Sequence, residues 1–212
     1  MRCKCCKDKF EVKYFLQKYC MDKDECIKAF SESVKEKKQK TESKAWNKEK
    51  RQRIDKLKTL TDWKKDLEKL INAIVRLIDK GNPCMMCSGH PMKRINACHY
   101  HAVGGNDTIR FNLFNIWAGC HSCNSEKGGN IHGYDMLLIE KQGRERWEYV
   151  KFELLRTYSY IGLSIPEIKE AIVIARQIKK ELEKIDQVYS HEARWKLRTK
   201  YNERLNIYKQ NE

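Results

Sequence analysis

Pro83-Cys84-Met85-Met86-Cys87 and Gly119-Cys120-His121-Ser122-Cys123-Asn124 are the stretches whose reading decides the fold. Each sets two cysteines three positions apart, so both thiolates of a pair can reach one metal ion. Two such pairs complete a tetrahedral zinc site. Between them, Ile95 to Tyr100 reads as the first strand of a hairpin and Asn115 to Gly119 as the second, around a long loop containing Gly104-Gly105-Asn106-Asp107. His121 to Lys127 reads as a short helix stopped by Gly128-Gly129. The spacing predicts a ββα unit clamped by zinc on Cys84, Cys87, Cys120 and Cys123.

That order, with a histidine closing the first strand and asparagines after it, is the pattern of the HNH nuclease motif. Phosphodiester hydrolysis needs a base to deprotonate water, a divalent cation to stabilise charge, and groups that hold both in line. His99 is the candidate base, because an imidazole is mostly neutral near pH 7. Asn115 fits the middle position of the motif, as a side chain that bonds backbone across the loop and orients the base. Asn112, three residues earlier, competes for that role. Asn124 stands on the short helix, where its carbonyl oxygen suits Mg²⁺ or Mn²⁺. His101 shares a strand face with His99 and is a second candidate ligand of that ion, or an exposed strand residue. Arg110 and Lys127 are candidate phosphate clamps, with solvated charge as the equal alternative. His121 reads as a surface residue or a DNA contact.

The first thirty residues look like a smaller zinc finger. Cys3, Cys6, Cys20 and Cys26 surround Lys9-Phe10-Glu11-Val12 and Tyr14-Phe15, enough for a short hairpin beneath a metal. A segment this short buries too little apolar surface to fold alone, so metal would supply the difference. Cys5 competes with Cys3 as the first ligand.

From Lys35 to Lys58 there are eleven Lys or Arg against four Glu or Asp, and no Pro or Gly. This reads as a solvated basic helix whose Lys37, Lys38, Lys50, Arg51 and Arg53 could track phosphates without regard to sequence. Trp63, Leu67, Leu70, Ile71, Ile74, Val75 and Ile78 follow at three- and four-residue spacing, one apolar helix face. Thr61 or Asp62 could cap that helix. Further on, Ser164-Ile165-Pro166-Glu167 is a strong helix start, and Leu197, Tyr201, Leu205 and Tyr208 mark a last helix.

The whole chain of 212 residues carries 44 basic and 29 acidic side chains, a formal charge of +15. Such an excess points to a polyanion, hence nucleic acid, as partner. No apolar run approaches the ~18 residues of a membrane span. The start, Met1-Arg2-Cys3-Lys4-Cys5-Cys6, has no apolar signal segment, so the expected compartment is cytoplasm. Thiols stay reduced there and paired cysteines more often hold metal.

The fuller set of residues resembles the NinG (Rap) recombination nucleases of lambdoid phages. The resemblance rests on Pro83-Cys84-x2-Cys87, Ala97-Cys98-His99-Tyr100, Arg110-Phe111-Asn112-x2-Asn115-Ile116, Cys120-x2-Cys123-Asn124 and Lys127-Gly128-Gly129-Asn130. It extends to the N-terminal cysteines, the basic stretch and the helical tail. It implies a structure-selective endonuclease acting on branched DNA, phage-encoded and working in the host cytoplasm beside phage recombination proteins, with a homodimer open. It also supports His99 as catalytic, Asn124 at the ion and the four clamp cysteines on zinc. One departure stands out. Many HNH enzymes carry Asp just before the histidine, the family tends towards Gly, and this chain has Cys98, a poor Mg²⁺ ligand.

The expected architecture is α+β but mostly α: an N-terminal four-cysteine zinc finger (1–30), a basic helical arm (31–62), a zinc-clamped HNH core with its packing helix (63–135) and C-terminal helices (136–212). Basic helices on both sides of the core would touch diverging duplexes, so that trimming the tail from Ile185 lowers junction preference. Two readings compete: an HNH enzyme of restriction or homing type, and a double zinc-finger DNA binder without catalysis.

Overall fold

The computed structural model describes residues 1–89, 95–160 and 162–208. Residues 90–94 of the expected core and 209–212 of the expected tail lie outside them. The chain is mostly helical, with one two-stranded sheet, and divides into two compact units, Met1–Lys58 and Thr59–Glu212.

In the first unit, an antiparallel bridge joins Arg2 to Lys9, and the Cys3 amide donates to the Asp8 carbonyl at 2.8 Å, closing a cysteine-bearing turn. Helix α1 (Asp24–Leu57) follows. No Pro or Gly interrupts it, and Asp24 and Glu25 sit in its first turn, where carboxylates favour the positive helix end. Cys26 is its only buried residue, so the rest is the solvated helix its charge pattern predicted. The finger and the arm are not separable at residue 30, however. The helix starts seven residues earlier and carries Cys26, a member of the first cysteine cluster, so the cluster and the arm share one element.

The second unit begins at Thr59, four residues before the expected boundary. Thr59 caps α2 (Leu60–Ile78): its Oγ1 accepts from the Asp62 amide at 3.3 Å, and the Asp62 carboxylate accepts from the Thr59 amide at 3.0 Å. The cap is therefore Thr59, with Asp62 as its reciprocal partner. Trp63, Leu67, Ile71, Ile74, Val75 and Ile78 of the face read from periodicity are buried, and Leu70 is half-buried at its edge. They pack against Ile168, Ile172, Ala175 and Ile178 of α6 (Ile165–Leu182), which Ser164 and Glu167 cap reciprocally.

Strands β1 (Asn96–His99) and β2 (Ile116–Gly119) pair antiparallel, with Asn96 opposite Gly119 and His99 opposite Ile116. Gly119 gives close packing where the hairpin meets the cysteine pair, since a Cβ there would have to displace Met86 Cε and Cys98 Sγ. A short helical turn, Ser122–Glu126, follows, then α3 (Ile131–Gln142), α4 (Arg144–Glu148), a wide turn over Tyr149–Glu153 and α5 (Leu154–Thr157). Beneath this hairpin lie Met86, Trp117, Tyr134, Leu138, Val150 and Leu154.

The last helix, α7 (His191–Leu205), is part of the core rather than an arm. Arg194 and Arg198 are 2% and 0% exposed, and both reach Asp79, the fully buried residue that ends α2. Asp79 Oδ2 accepts from Arg198 Nη2 and from the Ala118 amide, each at 2.8 Å, and Oδ1 accepts from Arg194 Nη1 at 3.3 Å. Arg198 also donates to the carbonyls of Leu113 and Ile116 at 3.0 and 3.3 Å, and lies 3.7 Å over the Trp117 ring. One arginine thus ties α7, α2 and β2 together. Of the basic residues on this helix, expected to touch DNA, Arg194 and Arg198 are instead buried in the fold, while Lys196 and Lys200 stay exposed.

Candidate metal and catalytic site

The two expected cysteine clusters both assemble. The sulfurs of Cys84, Cys87, Cys120 and Cys123 lie within 4.8 Å of one another, as do those of Cys3, Cys6, Cys20 and Cys26. Tetrahedral zinc with Zn–S bonds of about 2.3 Å sets sulfurs roughly 3.8 Å apart. Cys87 to Cys120 is 3.9 Å, Cys3 to Cys26 is 3.7 Å and Cys6 to Cys20 is 3.8 Å. Backbone amides also point at the sulfurs: Cys120 N to Cys84 Sγ at 3.2 Å, Cys123 N to Cys120 Sγ at 3.4 Å and Cys20 N to Cys3 Sγ at 3.4 Å. Such donors stabilise thiolates, the form that binds metal. Cys5 turns its sulfur towards the Glu25 carbonyl, so Cys3 is the residue that completes the first cluster. Both clusters could hold zinc ions.

Asn130 belongs with the second cluster. Its Nδ2 donates to the Met86 carbonyl at 2.7 Å and approaches Cys123 Sγ at 3.6 Å, with its backbone in the left-handed region at φ 38°. Its place after Gly128-Gly129 is visible in the sequence, but its contact with the clamp is not.

His99 ends β1 and is half-buried. Its Nε2 lies 3.1 Å from the Arg110 carbonyl. A carbonyl only accepts, so Nε2 carries the proton and Nδ1 keeps the lone pair. Burial pushes the imidazole below its ordinary pKa, against the opposing pull of that carbonyl. A neutral ring with a fixed tautomer and one unprotonated nitrogen is what a general base requires.

Arg110 is held in turn. Its guanidinium reaches Glu68 of α2 at 2.5 Å and Asp107 at 2.7 Å, and Asp107 also pairs with Lys64. With its charge matched by two carboxylates and its side chain 14% exposed, Arg110 is poorly placed to clamp phosphate. Its contribution is to fix the carbonyl that orients His99. These carboxylates argue against the expected DNA contact, and Glu68, 42 positions away in the chain, is not visible beside Arg110 in the sequence.

Asn115 is fully buried. Its Oδ1 accepts from the His101 amide at 2.8 Å and its Nδ2 donates to the His101 carbonyl at 3.2 Å, bracing the backbone just beyond His99. Asn112, the competing candidate, faces the other way. Its Oδ1 accepts from the Phe114 amide and from Asn202 Nδ2 of α7, both at 3.0 Å, so it anchors the loop to the tail. The His101 ring is not free on an open strand: its Nε2 donates to the Val150 carbonyl at 2.9 Å, leaving Nδ1 as its unprotonated nitrogen. Beside it, Asp135 gathers Tyr100, Trp147 and Lys151, the last two at 2.6 and 2.9 Å.

Asn124 and Lys127 are exposed around the short turn, and among the described residues no side-chain hydrogen bond joins Asn124 to His99 or His101. His121 is exposed as well. Cys98 is buried, and burial with Cys84 and Cys120 nearby pushes its thiol up to about 12. It is a protonated packing residue beneath Gly119, unsuited to a hard cation. Among the described residues, His, Cys, Asp and Glu form no further group of three or more with metal-binding geometry beyond the two cysteine clusters. Lys37, Lys38, Lys50, Arg51 and Arg53 are exposed along α1.

Purified chain should carry two zinc ions, and Cys120→Ser should lose one of them together with the hairpin's fold, because structural zinc supplies folding free energy. Zinc content and far-UV circular dichroism check this; no zinc at all, or full folding after chelation, would refute it.

A family model described as Bacteriophage Lambda NinG protein matches residues 1–186. Protein ninG of Escherichia phage lambda is 34% identical over 89 residues, 42% of this chain and 44% of that protein. Protein ninG of Salmonella phage P22 is 33% identical over 87 residues, 41% and 43% of the two chains, and that of Escherichia phage 933W is 33% identical over 89 residues, 42% and 44%. These alignments span less than half the length of the relatives they match. No solved structure matches. No helix among the described residues is long and apolar enough to cross a membrane.

Proposed function

The chain belongs to the NinG family of lambdoid phages, and we propose that it is an HNH endonuclease cutting branched DNA recombination intermediates. The observation that carries the proposal is His99: a half-buried, neutral imidazole at the end of β1, its Nε2 fixed by the Arg110 carbonyl and its Nδ1 left to take a proton.

In this reading water loses its proton to His99 Nδ1 and attacks the phosphorus in line with the departing 3′ oxygen. Asn115 and Arg110 hold the base in place. Asn124 and His101 Nδ1 are the protein groups nearest in role to a divalent ion. Bound Mg²⁺ or Mn²⁺ would neutralise charge on the phosphate and leaving oxygen, keeping most of its waters. The two zinc clusters hold structure. Family membership supports a recombination setting, and the +15 charge supports DNA.

Helix α1 supplies non-specific grip. Arg53 pairs with Glu49 at 2.7 Å and Lys38 with Glu42 at 4.0 Å, but exposed pairs of this kind are worth only ~0–1 kcal/mol. They yield readily to phosphate. Changing Lys37, Lys38, Lys50, Arg51 and Arg53 to Gln should weaken binding to every DNA. It should also flatten the salt dependence by up to about 0.9 in log–log slope for each phosphate left without its cation. An unchanged slope would make α1 a spacer.

The functional test is nicking of supercoiled plasmid by zinc-loaded protein with and without added Mg²⁺. Metal-dependent nicking is the expected result. Tight binding with no nicking under any divalent ion would favour the double zinc-finger binder. Sequence-restricted cutting of linear DNA would favour a restriction or homing enzyme.

A further inference from the structure

The N-terminal unit holds an apolar surface that neither zinc binding nor the α1 charge run uses. Tyr14, Phe15 and Leu16 stand 74%, 94% and 70% exposed. They are not on a loose strand. Gln17 closes the turn beneath them: its Oε1 accepts from the Lys13 amide at 2.9 Å, its Nε2 donates to the Tyr19 carbonyl at 2.9 Å, and its amide donates to the Tyr14 carbonyl at 3.1 Å. Leu16 sits at φ 63°, in the left-handed region that residues other than glycine rarely adopt. An ordered, unfavourable turn thus holds three apolar side chains in water.

Behind the turn lies a groove of about 410 Å³, with Tyr19 and Phe30 stacked edge-to-face, ring centroids 5.8 Å apart. Lys18 and Lys37 line it too, and among the described residues no carboxylate does. A protein-docking patch would satisfy the apolar part of this surface but not its one-signed charge. Aromatic faces interleaved with cations are what a single-stranded polynucleotide needs: bases stack on rings while ammonium groups meet phosphates. Paired bases inside a duplex cannot offer their faces; unpaired bases at a nick, gap or branch can.

We propose that the Tyr14–Gln17 turn and its groove form a stacking site for unpaired nucleobases of DNA. It rests on the reading of the chain as a DNA-acting protein, and it would add recognition of exposed bases to the phosphate grip of α1.

The test uses full-length, zinc-loaded protein without divalent cation. Binding is measured to a single-stranded oligonucleotide carrying 2-aminopurine and to the blunt duplex of the same sequence. Tyr14→Ala with Phe15→Ala should weaken single-strand binding roughly 5- to 150-fold for each base no longer stacked and leave duplex binding and zinc content unchanged. Phe15→Trp should restore it, with 2-aminopurine fluorescence quenched on binding as in the parent. An equal loss on duplex, or no loss on single strand, would overturn the proposal; the second is what a protein-docking patch would give. Cleavage is not read here, so a protein that stacks bases yet cuts nothing would refute the nuclease reading and leave this site standing.

Discussion

Arg198→Ala should destabilise the second unit by roughly 3–5 kcal/mol, the usual cost of removing one partner from a buried ion pair. The substitution leaves Asp79 fully buried with one strong donor gone, and it strips the carbonyls of Leu113 and Ile116 of their bonds. It also removes the guanidinium from the Trp117 face. Arg198→Lys keeps charge but not the planar fork or the stacking, so it should recover only part of the loss. Urea unfolding of zinc-loaded protein, followed by near-UV circular dichroism, measures both. A loss below about 1 kcal/mol, the range of an exposed pair, would mean Arg198 is not the tie its geometry makes it. The same network revises what trimming the chain from Ile185 can teach. That deletion removes α7, so it should unfold the hairpin rather than alter substrate preference.

His99→Ala should lower cleavage by about 10²–10⁴-fold, the typical value of a general base, while zinc content, fold and DNA affinity stay near those of the parent. A base acts in the transition state, whereas affinity comes mainly from phosphate contacts. Single-turnover cleavage beside a binding titration separates the two. Normal cutting would move the base to His101 or remove catalysis from this hairpin, and His101→Ala would tell these apart.

Much of this site is legible along the sequence because its determinants are local. Cysteines three apart readily face one point, so the second cluster and the hairpin between its two pairs follow from spacing; in the first cluster only Cys3 and Cys6 have it, and Cys20 and Cys26, six apart, are recognised by the count of four. The apolar face of α2 and the Ser164–Glu167 cap are likewise periodic or adjacent signals. What escapes is long-range. Arg194, Arg198 and Asn202 recur every four residues on α7, but a polar stripe reads as solvated unless its partners are known. Asp79 and Asn112 lie 115 and 90 positions away. Arg110 misleads in part for the same reason: Asp107 is a neighbour three residues away, but Glu68 joins it only once α2 and the loop are side by side. The start of α1 is hidden because Cys26 reads as part of a finger, and a ligand can lie on a helix as well as in a loop.

The decisive comparison is cleavage of a four-way junction against a linear duplex with the same arm sequences, by zinc-loaded protein at moderate salt with and without Mg²⁺. An HNH endonuclease for branched DNA should cut at or near the branch only with Mg²⁺, faster than it cuts the linear duplex, and should stop doing so in His99→Ala. Equal cutting of both substrates, or cutting of the junction that survives the loss of His99, would overturn that assignment.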